Sequence, residues 1–224
     1  MTEMELVYWP LRGLVQPVAT LLEHLKLPYK HTRVEGMEQW QKQKAELIAQ
    51  GFLFANLPYI RDGDFLLAES QAIMRYACKK AGKMELLPSA EEKEKFHELT
   101  GAVNDFRMIA SMALYNSKSK EELVQTLKTA FSTRLASRIE AFAKLLEKGE
   151  FLWGRLTYID FVFAESIEML LTMQSELNAD LLPHKEVFEK YLQRVTALPG
   201  VAEYRASDRF HARPYSRPDM TAWS

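Results

Sequence analysis

Cysteine is almost missing from this chain. Its 224 residues hold one, Cys78, which excludes an intramolecular disulfide and a Cys-x-x-Cys redox pair. Long apolar runs are missing too; none approaches the ~18 residues of a membrane span. Neither sign of charge is in excess: 29 Lys and Arg against 30 Asp and Glu leave a net charge of −1. That balance supplies no global field for nucleic acid or an anionic membrane. The five histidines, His24, His31, His97, His184 and His211, lack metal spacing, and there is no phosphate loop. No repeats or low-complexity tracts occur. The opening Met1-Thr2-Glu3-Met4-Glu5 is acidic, without the basic-then-apolar order of a signal peptide. The expectation is a cytoplasmic protein with no metal, no nucleic-acid partner and no membrane partner.

What is present suits a globular chain: 47% apolar and 26% charged residues, long enough for one large or two small domains. The first ~80 residues alternate in period. Glu5–Tyr8 reads as a strand and Leu14–Leu25 as a helix, with Leu14, Val18, Leu21, Leu22 and Leu25 on one face. Pro17 falls in that helix's first turn, where a missing N–H is tolerated. A second strand follows over Tyr29–Val34, then a helix or helical loop over Met37–Gln50. Leu57–Arg61 and Asp64–Ala68 form a hairpin across Asp62-Gly63, and Ser70–Ala81 is helical. Cys78, beside Ile73, Met74 and Ala77, reads as core. The order β-α-β-α-β-β-α is thioredoxin-like.

A turn-rich stretch follows, and beyond it almost everything is helical: Glu91–Asn116, Lys120–Leu146, Tyr158–Gln174, Lys185–Ala197 and Val201–Ala206. Pro199-Gly200 separates the last two. The tail, with Pro214 and Pro218, is irregular. The expected fold class is α/β followed by all-α. The divisions are a thioredoxin-like domain over 1–82, a linker over 83–90 and a helical domain with an irregular tail over 91–224.

Several residues carry chemistry. Tyr8 ends the first strand, and ligands of open α/β sheets bind outside the carboxyl ends of strands. A hydroxyl there can donate to a thiolate and lower a thiol's pKa; a core ring beside Trp9 would read the same way. Asn56-Leu57-Pro58 precedes a strand, where a proline suits a tight entry, cis or trans. Glu69-Ser70 opens a helix whose N–H groups suit an anion, or simple capping. Trp40 and Lys44 are four apart and share a face, able to grip a carboxylate or to stand as a half-buried ring beside a solvated ammonium. Asp105 lies on a long helix, where it reads as part of a solvated face; Met108, Met112 and Tyr115 of the same helix are either core or the wall of an adaptable apolar pocket. Thr157 and Asp160 form a structural capping pair.

Taken in order, Tyr8-Trp9, Arg12-Gly13-Leu14, Trp40…Lys44, Phe54-Ala55-Asn56-Leu57-Pro58-Tyr59, Glu69-Ser70, Arg75-Tyr76, Tyr115-Asn116, Trp153…Thr157…Asp160-Phe161 and Ser207-Asp208-Arg209-Phe210 resemble the cytosolic glutathione transferases, most of all the mu class. The resemblance covers nearly the whole chain. It implies a two-domain homodimer that takes glutathione as co-substrate, needs no other cofactor, and joins the thiolate to a hydrophobic electrophile. By this resemblance Tyr8 is the thiol-activating tyrosine. Trp9, Leu14, Trp40, Lys44, Asn56, Leu57, a cis-Pro58, Glu69 and Ser70 contact glutathione, with Asp105 reaching in from the other subunit. Met108, Met112, Tyr115 and Phe210 line the second-substrate pocket. Phe54 is an aromatic key to the neighbouring subunit, and Arg75 lies near the two-fold axis. Glu69 departs from the mu pattern, which usually has Gln there; Glu can pair with the ligand's α-amino group. A non-enzymatic ligand-binding relative and a glutathione-dependent isomerase or peroxidase are the alternatives.

Overall fold

A computed structural model describes residues 3–217 and 219–224. Met1 and Thr2 of the acidic opening, and Pro218 of the tail, lie outside the described residues. The chain forms two compact units, residues 1–83 with 199–214, and residues 84–198 with 215–224. The expected helical segment 91–224 is therefore not one block, because its stretch from Pro199 to Pro214 packs with the N-terminal unit.

The first unit is built on a four-stranded sheet of order β2-β1-β3-β4. The strands are β1 (Met4–Tyr8), β2 (Tyr29–Arg33), β3 (Tyr59–Asp62) and β4 (Phe65–Ala68). β1 runs parallel to β2, with Leu6 opposite His31 and Tyr8 opposite Arg33, and antiparallel to β3. Helices α1 (Val15–His24) and α3 (Ser70–Lys80) pack against each other. Both are periodic in apolar residues, so Val18, Leu21, Leu22, Ile73, Met74 and Ala77 reach a core shared with Leu6, Val7 and Ile60. Cys78 is buried there. α2 (Met37–Ala49) carries only Trp40 and Leu47 inward.

Two local features depart from expectation. The hairpin turn sits one residue later, on Gly63-Asp64, and Asp62 pairs with Phe65. Gly63 takes φ of 62°, which only glycine adopts without strain. Asp62 serves instead as the acceptor for Tyr76 Oη and Lys80 Nζ, and those bonds, Lys80's first, hold its carboxyl below the usual range. Strand β3 starts at Tyr59 rather than Leu57 because Pro58 has no N–H for the ladder.

The second unit holds α4 (Lys93–Asn116), α5 (Lys120–Ser132), α6 (Ala136–Lys148), α7 (Tyr158–Glu176) and α8 (Lys185–Thr196). The expected single helix Lys120–Leu146 is two. Ser132 Oγ and Thr133 Oγ1 bond back to the carbonyls of Lys128 and Thr129 at 2.8 and 2.6 Å, competing with the backbone ladder. Thr133 then leaves the helical region.

α7 is apolar nearly all round and lies at the centre. Phe163 contacts Phe106, Phe142, Phe188 and Tyr191 with ring centroids 4.7–5.9 Å apart, in tilted and edge-on pairs worth roughly 0.5–1.5 kcal/mol each beyond their burial. The helix is opened by Asp160, which is fully buried. Its carboxylate accepts from Leu152 N, Thr157 N, Thr157 Oγ1 and Tyr191 Oη at 2.9–3.2 Å. Burial pushes its pKa up to about 6, and the donors oppose that shift. Asp160→Ala strands three buried donors at once, while Tyr191 Oη keeps its bond to the Asp160 carbonyl at 2.9 Å. The expected outcome is a loss of roughly 3–5 kcal/mol of unfolding free energy, measured by urea denaturation against wild type.

Candidate functional site

The first unit places its chemistry at the carboxyl end of β1. Tyr8 is 6% exposed there. Its hydroxyl oxygen accepts a hydrogen bond from Leu14 N at 3.2 Å, and Leu14 is the N-cap residue of α1. A helix N-terminus carries positive potential, so the phenol oxygen sits where partial negative charge is favoured. The hydroxyl also has a proton to donate. The connecting loop is tightened by Leu11 N donating to Trp9 O, and Arg12 O accepts from Val15 N and Gln16 N.

Gly13 makes this approach possible. It has φ of 36°, and a Cβ added there would lie 2.6 Å from Leu11 Cδ1 and 2.7 Å from Tyr8 Oη. The resemblance singled out the Arg12-Gly13-Leu14 triplet without revealing why glycine was needed.

The aromatic residues between β1 and α2 form a chain of contacts. Trp9 meets Trp40 edge-on at 6.5 Å, Trp40 stacks on Tyr59 at 6.3 Å, and Phe52 meets Tyr59 edge-on. Lys44 Nζ lies 6.0 Å from the Trp40 ring centre, so the i, i+4 pair does share a face. Gln43 Nε2 donates to Tyr59 Oη at 2.7 Å. Burial drives the Tyr59 phenol up to about 12, so it stays a neutral anchor. Gln43 escaped sequence reasoning because a glutamine on a polar helix face carries no signal.

Asn56 is exposed, Leu57 and Pro58 are buried, and the Leu57–Pro58 peptide is cis. Glu69, not Ser70, is the N-cap of α3; it has φ of 70° and makes no side-chain cap bond. A non-glycine residue held in that region costs about 1–3 kcal/mol and is characteristic of functional positions. Ser70 is the first residue of α3. Phe54 is 84% exposed and its neighbour Leu53 74%. Arg75 is half-buried on α3. Phe210 meets Tyr204 edge-on at 5.5 Å, with the guanidinium groups of Arg12 and Arg205 within 5.2 and 4.6 Å of its ring.

In the second unit, Met108, Met112 and Tyr115 are all exposed. Their spacing along α4 puts them on one face. Tyr115 Oη accepts from Arg217 N at 3.4 Å, a tail contact that sequence reasoning missed because Arg217 lies in an irregular stretch. Asp105 forms an ion pair with Arg138 Nη2 at 2.7 Å. A separate groove between α4 and α6, about 460 Å³, is lined by Leu99, Ala102, Phe142, Leu145 and Trp153, together with Lys95, Glu98 and Arg138. Among the described residues, no group of three or more His, Cys, Asp or Glu side chains is placed to hold a metal.

Comparison with known proteins agrees on one family. The model for the glutathione S-transferase N-terminal domain matches residues 4–79, and that for the C-terminal domain matches residues 104–208. The class-mu 26 kDa glutathione S-transferase isozyme of Schistosoma mansoni is 33% identical over 96% of this chain and 93% of its own length. That of Schistosoma japonicum is 34% identical over 92% and 90%. The crystal structure of glutathione S-transferase Blo t 8 superposes with a TM-score of 0.77 at 24% identity, covering 97% of this chain and 98% of that one. A prostaglandin synthase D of Nilaparvata lugens does so at 0.73 and 22%, covering 94% of this chain and 100% of that one.

The loop under Tyr8 can be tested by stability alone. Gly36, at the start of α2, has extended backbone and nothing within 4 Å of an added Cβ. Gly36→Ala is expected within about 1 kcal/mol of wild type. Gly13→Ala is expected to lose roughly 1–3 kcal/mol, read by chemical denaturation of both variants side by side.

Proposed function

Because this chain belongs to the glutathione S-transferase family, we propose that Tyr8 is its catalytic residue. The chain is a glutathione transferase. In this reading the Tyr8 hydroxyl donates to the glutathione sulfur and favours thiolate over thiol. A hydrogen bond to a charged group contributes about 1.5–3 kcal/mol, or roughly one to two pKa units. That range takes a thiol from about 8.5 towards neutrality. The thiolate then attacks an electrophilic carbon of an apolar second substrate. The C–S bond forms as the leaving group departs with its electron pair, or as an activated double bond takes the electrons and is then protonated.

The observation that carries this reading is the Leu14 N–H to Tyr8 oxygen bond at the start of α1. It fixes the phenol and strengthens it as a donor, because accepting one hydrogen bond polarises the O–H for the next. The remaining contacts follow in the same reading. Trp9, Leu14, Trp40 and Lys44 flank the tripeptide, Asn56, Leu57 and Pro58 hold its cysteinyl part, and Glu69 and Ser70 take its γ-glutamyl end. Met108, Met112, Tyr115 and Phe210 belong to the second-substrate side. A cytoplasmic location is part of this reading; no helix among the described residues is long and apolar enough to cross a membrane.

The working form in this reading is a homodimer. Phe54 and Leu53 project from the first unit as exposed apolar side chains, and the groove of Leu99, Ala102, Phe142 and Leu145 opens on the second. Phe54 of one copy fills that groove in another, and two-fold symmetry repeats the contact. Each insertion contributes roughly 1.5–3 kcal/mol. Arg75 lies near the two-fold axis, and Asp105, positioned by Arg138, reaches the glutathione of the other copy.

Two substitutions test these roles. Tyr8→Phe keeps the ring and removes the donor. Glutathione binding is expected within a few-fold of wild type. Turnover of a chloronitroarene at neutral pH should fall about 10- to 100-fold, with the pH–rate profile displaced upward. Wild-type turnover at pH 6.5 would move the chemistry to another group. Phe54→Ser is expected to raise the monomer fraction in sedimentation at micromolar concentration. A wild type that is already monomeric there defeats the dimer reading.

A further inference from the structure

A small cavity lies in the first unit. The tail segment around His211 and Arg213, the loop at Arg12 and the side chains of His31 and Arg33 on β2 enclose it, together with Tyr204. Three guanidinium groups and two imidazoles thus line one space, and among the described residues none that lines it is a carboxylate. His31 Nε2 is buried with no hydrogen-bond partner, an uncommon state because an unsatisfied buried polar atom costs roughly 1–3 kcal/mol.

The Arg33 guanidinium acts on both imidazoles. Burial pushes His31 down to about 4, helped by Arg33 and His211. His211 is also lowered, by burial and by Arg33, with Asp208 opposing. Arg12 is only 2% exposed. Its guanidinium donates to Ala212 O at 3.3 Å and lies over the Phe210 ring. The space, about 20 Å³, admits a water-sized guest and little more. A phosphate or an organic carboxylate is too large.

We propose that this cavity is a halide site, sized for chloride. The ion accepts from His31 and the surrounding guanidinium groups, and so fastens the 211–214 segment to the Arg12 loop and to β2. Arg12 N already donates to Pro214 O at 2.8 Å, so the ion reinforces a closure the backbone has begun.

The test uses the full chain with ¹⁵N-labelled histidine. Chloride replaces gluconate, which is too large for the cavity, at constant ionic strength and neutral pH. The His31 Nε2 resonance is expected to move saturably while that of exposed His97 does not. Arg33→Gln should weaken the chloride response about tenfold, the loss of one charge-assisted bond. Arg213→Gln, on the tail segment, should do the same and serves where Arg33→Gln folds poorly. Crystals soaked in bromide should show anomalous density within hydrogen-bond reach of His31 Nε2. A His31 response that is linear and equal in wild type and both variants overturns the proposal, as does the absence of bromide density at His31.

Discussion

The first unit depends on one close approach: the Tyr8 hydroxyl lies against the backbone that starts α1. Leu14 N can reach that oxygen at 3.2 Å only because Gly13 has no side chain. The parallel pairing of β1 with β2 delivers Tyr8 to the strand end, and the chain must turn at once to lay α1 back on the sheet. That turn brings three things together: a phenol, a helix N-terminus and a backbone conformation that favours glycine. A larger residue at position 13 would push the phenol and the helix start apart, and the polarised O–H would go with them.

The order of elements and nearly all helices were legible because hydrophobic periodicity is strong in both units. Val18, Leu21 and Leu22 mark α1, and the short apolar run Phe65–Ala68 after Asp62-Gly63 marks β4. Boundaries failed where side chains compete with the backbone. Ser132 and Thr133 break what reads as one helix, since their local hydroxyl bonds leave no periodic trace. The hairpin slipped by one residue because Asp-Gly is a strong turn pair wherever it stands, and only the Tyr76 and Lys80 contacts show that Asp62 remains in the strand.

The site was legible as residue types in order, and much less as geometry. Trp40 with Lys44 follows from helical spacing. The stacking of Trp40 on Tyr59, and the Gln43 bond that holds Tyr59, are tertiary and have no sequence period. Glu69 shows the same limit from another side. A composition rule favours serine as the cap, yet the backbone turns at Glu69 and carries the strain there. Its carboxylate makes no cap bond to its own helix.

The end of the chain bears on its beginning within the first unit. The short helix α9 (Val201–Arg205) docks on α1, so closely that a Cβ at Gly200 would lie 2.3 Å from Glu23 O. Arg209 grips the Glu23 carboxylate with both terminal nitrogens, and His24 Nδ1 meets Pro199 O at 3.0 Å. Arg12 N then donates to Pro214 O. α1 is thus fastened at both its ends by residues some 175–200 positions away. Ten residues of helix form only marginally in water, and the loop that orients Tyr8 is the N-terminus of that same helix. Placement of the Tyr8 phenol therefore draws on a segment from the far end of the sequence, and residues 199–214 group with the sheet and not with the helices that precede them.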